Sequence, residues 1–216
     1  MGVFGFKDLR KIPLDALIAS FKPYYGEVLY NMARGIDHSP VTPFYEKEEV
    51  KSIGHRHTID HDTSDTEEIK QILLKMSEMV GKRLRDKKLV GKTISCFWRY
   101  CFKFPYTKFE GDGMQLTVSY TQDGLEIFKG VLRAFLKFWN GQAVRMVGVS
   151  VSNLKSLTPQ NLSLLPEVKR QETIIKTLDK INNKYGDFTL QRGILLGSSQ
   201  MKRKPNPFLA DRRFKI

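Results

Sequence analysis

Residues 92–103 read Lys-Thr-Ile-Ser-Cys-Phe-Trp-Arg-Tyr-Cys-Phe-Lys, and their alternation decides the fold. In an extended strand successive side chains point to opposite sides of the sheet. Ile94, Cys96, Trp98 and Tyr100 therefore share one side, and Thr93, Ser95, Phe97, Arg99 and Lys103 share the other. The first set is apolar and calls for a helical cover. The second is mostly hydroxylated and basic, which leaves that face open to something polar.

The neighbouring segments repeat the pattern. In 114–121, Met114, Leu116, Val118 and Tyr120 point inward, while Gln115, Thr117, Ser119 and Thr121 point outward. Pro105 and the turn Glu110-Gly111-Asp112-Gly113 join the two strands. Residues 50–59 set Ile53 and Ile59 against Ser52, Gly54, Arg56 and Thr58. Residues 143–152 form a fourth strand with Ser150 and Ser152 on the parity of Gly148, and with Arg145 near its start on the opposite parity.

Two helices lie between these strands. One opens at Ser64-Asp65-Thr66-Glu67, a capping box in which Ser64 and Glu67 satisfy each other's N–H groups, and it buries Ile69, Ile72, Leu73, Met76, Met79, Val80 and Leu84. The other spans 123–139, with Asp123 as cap and a stripe of Leu125, Phe128, Leu132, Phe135 and Trp139. The order βαββαβ predicts an α+β domain, a four-stranded sheet with both helices on one face. The open face then presents short hydroxyls with some Arg and Lys, groups that contact phosphate oxygens without reading bases. An ordinary solvated face is the competing reading.

The flanks differ. Residues 1–38 read as short helices, with faces Leu14, Leu17, Ile18, Phe21 and Val28, Leu29, Met32, Ala33, closed by Gly35. Lys22-Pro23-Tyr24-Tyr25-Gly26 reads as a turn between them, and a helix–turn–helix with glycine can aim backbone N–H groups, Gly26 included, at a phosphate. Residues 39–49 hold two prolines and read as a linker. After the domain at 50–155, residues 156–216 offer a helix striped by Ile174, Ile175, Leu178 and Ile181, a strand over Phe188–Leu196, and a basic tail from Met201.

Composition narrows the function. Lys plus Arg number 36 against 23 Asp plus Glu, a formal charge of +13 that draws a polyanion. No run approaches the roughly 18 apolar residues that a bilayer span needs. The N-terminus lacks a secretory pattern, and Cys96 and Cys101, five apart, do not suit a mutual bridge. A monomer in the reducing cytoplasm, without a membrane partner, is the expectation. His55, His57 and His61, with Asp60 and Asp62, have some metal-ligand character, but His55 and His57 share the parity of Ile53 and Ile59, so no metal site is assigned.

The ordered set of motifs resembles Y-family DNA polymerases of the DinB and UmuC type. Phe21 to Asp37, ending Leu29-Tyr30-Asn31-Met32-Ala33-Arg34-Gly35-Ile36-Asp37, is similar to the end of their thumb domain. Lys51-Ser52-Ile53-Gly54-His55-Arg56-His57-Thr58-Ile59 resembles the first strand of their little finger. Lys82-Arg83-Leu84-Arg85, Gly91-Lys92-Thr93 and Val144-Arg145-Met146-Val147-Gly148-Val149-Ser150 fit its later elements in order.

The resemblance implies a partial thumb followed by a little finger that grips template-primer duplex of a lesion-bypass polymerase, in a bacterial, nucleoid-associated setting. Its implied DNA contacts are Ser52, Gly54, Thr58, Thr93, Ser95, Thr117, Ser119 and Arg145. The open-face and turn arguments add Arg99, Ser150 and Gly26. Position 56 is often acidic in the family, so Arg56 is not carried over. The palm, whose carboxylates would hold catalytic Mg²⁺, has no counterpart here, so the chain is expected to be a non-catalytic fragment without a cofactor of its own.

Gln160-Asn161-Leu162-Ser163-Leu164-Leu165 is similar to the peptide by which bacterial relatives dock on the sliding clamp. Gln160 would anchor by hydrogen bonds, with Leu162, Leu164 and Leu165 filling an apolar pocket. An adaptor that chiefly holds the clamp or another protein is the alternative function. A sheet domain that binds RNA is disfavoured, because Phe97 is the one aromatic well placed on the open face.

Overall fold

The computed structural model describes residues 2–43, 45, 49–101, 110–157 and 166–196. The chain divides into two compact units, Met1–Glu48 and Glu49–Ile216.

The first unit holds α1 (Phe6–Arg10) and α2 (Leu14–Arg34). The expected turn between helical faces is a kink inside α2 at Lys22, whose φ of 67° leaves the helical region. Its cause is local, since the ring of Pro23 crowds the preceding residue out of the right-handed helical conformation. Gly26, expected in the turn, lies instead within the second helical segment. It is buried there, and a Cβ would stand 2.7 Å from the backbone nitrogen of Ile18. Gly35 closes the helix at φ 69°, the left-handed cap that the sequence indicates.

The second unit is the expected α+β layer pair. Strands β1 (Ser52–Thr63), β2 (Leu89–Tyr100), β3 (Gly111–Thr121) and β4 (Val144–Ser156) form one sheet in the order β1-β4-β2-β3. All three pairings are antiparallel. Helices α3 (Thr66–Asp86) and α4 (Gly124–Phe138) cross over so that β4 slots between β1 and β2, and β2 between β3 and β4. Expected strand residues 102–103 fall outside the described residues.

Period two sorts most side chains as read, the exception on β3 being Tyr120, expected inward but 45% exposed with the Lys155 ammonium over its ring at 3.8 Å. Ile53, Ile59, Ile94, Cys96, Trp98, Val147, Val149 and Val151 are buried with Ile69, Leu73, Met76, Val80, Ile127, Val131 and Phe135 of the two helices. Trp98 meets Phe135 edge-on at 5.3 Å, and Phe135 stacks on Trp139 at 4.9 Å. Such pairs add about 0.5–1.5 kcal/mol each beyond area burial. The Trp98 indole N–H donates to the Tyr100 hydroxyl at 3.0 Å, so its polar end is satisfied.

The α3 cap departs from the capping box by one residue. Asp65 is the N-cap and accepts from the Glu67 N–H at 2.9 Å, while the Thr63 hydroxyl donates to Glu68 at 2.6 Å. Asp123 caps α4 as expected, accepting from Leu125 at 2.8 Å.

Beyond the sheet, α5 (Pro166–Tyr185) is fixed to α3 and the α4 cap. Arg85 forks onto Asp179 at 2.6 and 2.8 Å, Lys82 reaches Asp187 at 2.7 Å, and the Gln171 amide donates to Asp123 at 3.3 Å. The strand expected over Phe188–Leu196 is absent. That stretch turns, with a single 3-10 turn at Gly193–Leu195. Phe188 has φ 63°, and the Asn182 side chain binds both the N–H and the carbonyl of Leu190 at 2.8 and 3.0 Å, where a sheet partner would otherwise bind. Leu195 then enters the core.

Candidate functional site

The strand registers turn the sheet face opposite α3 and α4 into four cross-strand rungs. Ser52, Ser152, Thr93 and Thr117 form the first, and Gly54, Ser150, Ser95 and Gln115 the second. Arg56, Gly148, Phe97 and Gly113 form the third, and Thr58, Met146, Arg99 and Gly111 the fourth. The first two rungs thus bring six hydroxyls side by side, drawn from four strands.

Exposure across this face is graded. Ser52, Thr58 and Thr117 are exposed, Ser95, Ser150 and Arg99 are half-buried, and Thr93 is buried with its hydroxyl accepting from the Asn153 amide at 2.8 Å. Thr93 is thereby a strut that holds Asn153, itself at φ 52°, in place. Ser119 is exposed on β3 but sits where the β2–β3 register slips between Thr93 and Gly91, outside the four rungs.

A shallow cavity of about 290 Å³ opens on the second and third rungs, lined by Ser52, Gly54, Arg56, Ser95, Phe97 and Ser150 among others. It exists because glycine occupies position 54. A Cβ there would lie 2.6 Å from that of Ser150 and 2.8 Å from the Val149 carbonyl. Next to it, the Arg56 guanidinium lies over the Phe97 ring at 5.4 Å. Gly148 separates the two, and a Cβ on it would touch both, at 3.2 and 3.3 Å.

Strict alternation puts Arg145 on the helix side, and the structure corrects this. Val144 and Val147 are both fully buried, three residues apart, and the β2–β4 register slips between Arg99 and Tyr100. The extra residue is a β-bulge, which turns Arg145 and Met146 together towards the open side. The Arg145 guanidinium donates to the Asp60 carbonyl at 3.2 Å and lies 3.5 Å from the Asp62 carboxylate. The bulge could have been found in the valine spacing, which is three from 144 to 147 and then two to 149 and 151. Sequence reasoning gave no signal for the Arg56–Phe97 stack, because parity states a face and not which side chains on it meet.

The histidines separate. His55 points into the helical layer, is 4% exposed, and neither ring nitrogen has a hydrogen-bond partner. Burial, with the nearby Arg83 charge, pushes its pKa down to about 4. His57 is lowered too, chiefly by burial. His61 faces Glu68 at 3.3 Å. Among the described residues no three His, Cys, Asp or Glu side chains converge as a metal site. Burial likewise pushes the Cys96 thiol up to about 12, and both cysteines are free. No helix among the described residues is long and apolar enough to cross a membrane.

Gln160, Leu162, Leu164 and Leu165 lie outside the described residues, as does the basic tail from Met201.

Comparison with known proteins gives a consistent answer. The sequence model of the impB/mucB/samB family C-terminal domain matches residues 50–164. DNA polymerase IV of Moorella thermoacetica is 32% identical over 197 residues, which cover 91% of this chain and 48% of that protein. DNA polymerase IV 2 of Halalkalibacterium halodurans is 34% identical over 180 residues, 83% of this chain and 43% of that protein. DNA polymerase IV 2 of Bacillus subtilis is 33% identical over 199 residues, 91% and 47% respectively. The chain spans about half the length of the curated relatives it matches.

Proposed function

The chain belongs to the impB/mucB/samB family of C-terminal domains, in the Y-family of DNA polymerase IV-type proteins, and on that premise we propose that its sheet grips template-primer duplex for a lesion-bypass polymerase. The observation that carries this reading is the pair of hydroxyl-lined rungs on the sheet face opposite α3 and α4. Short hydroxyls and backbone N–H groups hold phosphate oxygens in register without sequence preference.

Within this reading Ser52, Gly54, Thr58, Ser95, Thr117 and Ser150 meet the backbone directly. Thr93 supports them from below through Asn153. Arg99 and Arg145 add charge at the fourth rung and the bulge, and Ser119 extends the contact along β3. The helices of residues 1–38 form the end of a thumb, and Gly26 serves there by letting the helix approach Ile18 closely. Polymerisation would belong to the longer protein, on carboxylates and Mg²⁺ outside this chain, with this unit holding the product duplex.

A second role is compatible with the first. Residues 160–165 would dock the sliding clamp, with Gln160 anchored and Leu162, Leu164 and Leu165 buried in the partner. Replacing Ser95, Thr117 and Arg145 should lower duplex affinity and leave clamp binding intact, and deleting 160–165 should do the reverse. If the deletion abolished DNA binding and the face substitutions did not, the adaptor reading would replace the first.

A further inference from the structure

Helix α5 carries a surface that the open sheet face does not account for. Lys169, Arg170, Thr173, Lys176, Thr177, Lys180 and Lys184 are all exposed. At 3.6 residues per turn they fall within a single arc of roughly 120°. The inward side of the same helix holds Gln171, Leu178, Asp179 and Asn182, which face α3, α4 or the turn after α5.

Charge is unevenly spread on this helix, with half-buried Glu172 at the edge of the arc, three residues from Lys169 and four from Lys176. Asp179 is engaged by Arg85, on the buried side. On α3 and α4, half-buried Lys70 pairs with Glu67 and exposed Lys129 with Glu126. No comparable pair engages the five cations of the α5 arc among the described residues. The arc runs from Lys169 to Lys184, about 22 Å at 1.5 Å per residue.

We propose that this arc is a second nucleic-acid contact, taking the phosphate backbone of DNA on the helical side of the sheet, opposite the hydroxylated face. A row of five cations along a rigid rod matches a line of phosphates in charge and in length. The Thr173 and Thr177 hydroxyls are already donating to the carbonyls of Lys169 and Thr173, both at 2.9 Å, so recognition rests on charge alone. Ile174 and Tyr185 are exposed beside the arc, with the Lys184 ammonium 5.0 Å from the Tyr185 ring, but among the described residues the arc itself carries only cations and the two threonines. The contact is therefore insensitive to sequence and steep in salt.

The test uses the full chain and measures affinity for a short DNA duplex across a salt series. Four proteins are compared: wild type, an α5 variant K169Q/K176Q/K180Q/K184Q, an open-face variant S95E/T117E, and the two combined. All four α5 lysines are exposed, and circular dichroism checks that each protein is folded. The α5 variant is expected to flatten the slope of log K against log salt by about 0.9 for each phosphate it no longer neutralises. The combined variant is expected to bind more weakly than either alone. An unchanged slope in the α5 variant, with weakened binding in S95E/T117E, overturns this inference and leaves the proposed function standing. Unchanged binding in both variants overturns both. An unchanged DNA slope in the α5 variant, together with binding of poly-glutamate that only wild type shows, would assign the arc to an acidic protein and equally overturn the inference. Charge reversal, K180E/K184E, repeats the test and is expected to flatten the slope further than neutralising the same two lysines.

Discussion

The Arg56 guanidinium lies over the Phe97 ring, 5.4 Å from its centroid, and the bare backbone of Gly148 passes between the strands that carry them. The exposed Arg56 cation is thus kept near the Phe97 ring on the open face. Arg56, left out by the family resemblance, stands on the third rung of the same face, so replacing it by alanine should reduce the salt slope of duplex binding by about 0.9, the value for one phosphate. Arg56→Lys should keep most of that slope, while Phe97→Ala should keep the charge but lower affinity by freeing the guanidinium from the ring. Binding isotherms at several salt concentrations distinguish the three.

Gly54 tests whether the cavity floor is structural. Alanine at this position would bring a Cβ within 2.6 Å of Ser150 and 2.8 Å of the Val149 carbonyl, so β1 must move off β4. A destabilisation of about 1–3 kcal/mol is expected from such overpacking. Chemical denaturation measures it, and a midpoint equal to wild type would show that the edge strand yields freely.

The buried His55 makes stability depend on pH in a definite direction. Folding lowers its pKa from 6.5 to about 4, because burial and the Arg83 charge disfavour the imidazolium. Between those values the unfolded chain binds the proton and the folded chain does not, so stability falls as pH drops through that window. The limiting effect is on the order of 3 kcal/mol. His55→Phe should remove this component, leaving a shallower decline between about pH 6.5 and pH 4 in denaturant titrations. A wild-type slope retained in the variant would assign the effect to other groups.

The fork between Arg85 and Asp179 holds α5 on the helical layer, at 12% and 17% side-chain exposure. Asp179→Ala leaves a largely buried guanidinium short of its partner and should cost about 3 kcal/mol. Replacing both by apolar residues of similar size should recover most of it. A double-mutant cycle with additive destabilisation would show that the two charges do not act as a pair.

The sheet was legible because burial on one face forces period two, and Ile94, Cys96 and Trp98 state it without interruption. The open face followed from the same parity. What escaped were mainly features in which a residue is inserted or a side chain takes a backbone partner's place away from a helix cap already marked in the sequence. The bulge at Arg145 shifts parity by one residue. Asp65, one residue along from the expected cap, wins because its carboxylate reaches the Glu67 N–H while Thr63 engages Glu68. Phe188–Leu196 has strand-like composition, but Asn182 satisfies Leu190 from the side and the segment folds over α3 instead of joining the sheet. Gly26 looked like a turn residue because sequence cannot distinguish a glycine needed for its φ from one needed for its size.

The most direct test of the central claim is the affinity of this chain for primer-template duplex and for the matching single strand, measured across a salt series. A sheet that tracks phosphates predicts preference for duplex and a steep, linear fall of log K with log salt. Equal affinity for both forms, or binding that salt leaves unchanged, would contradict it.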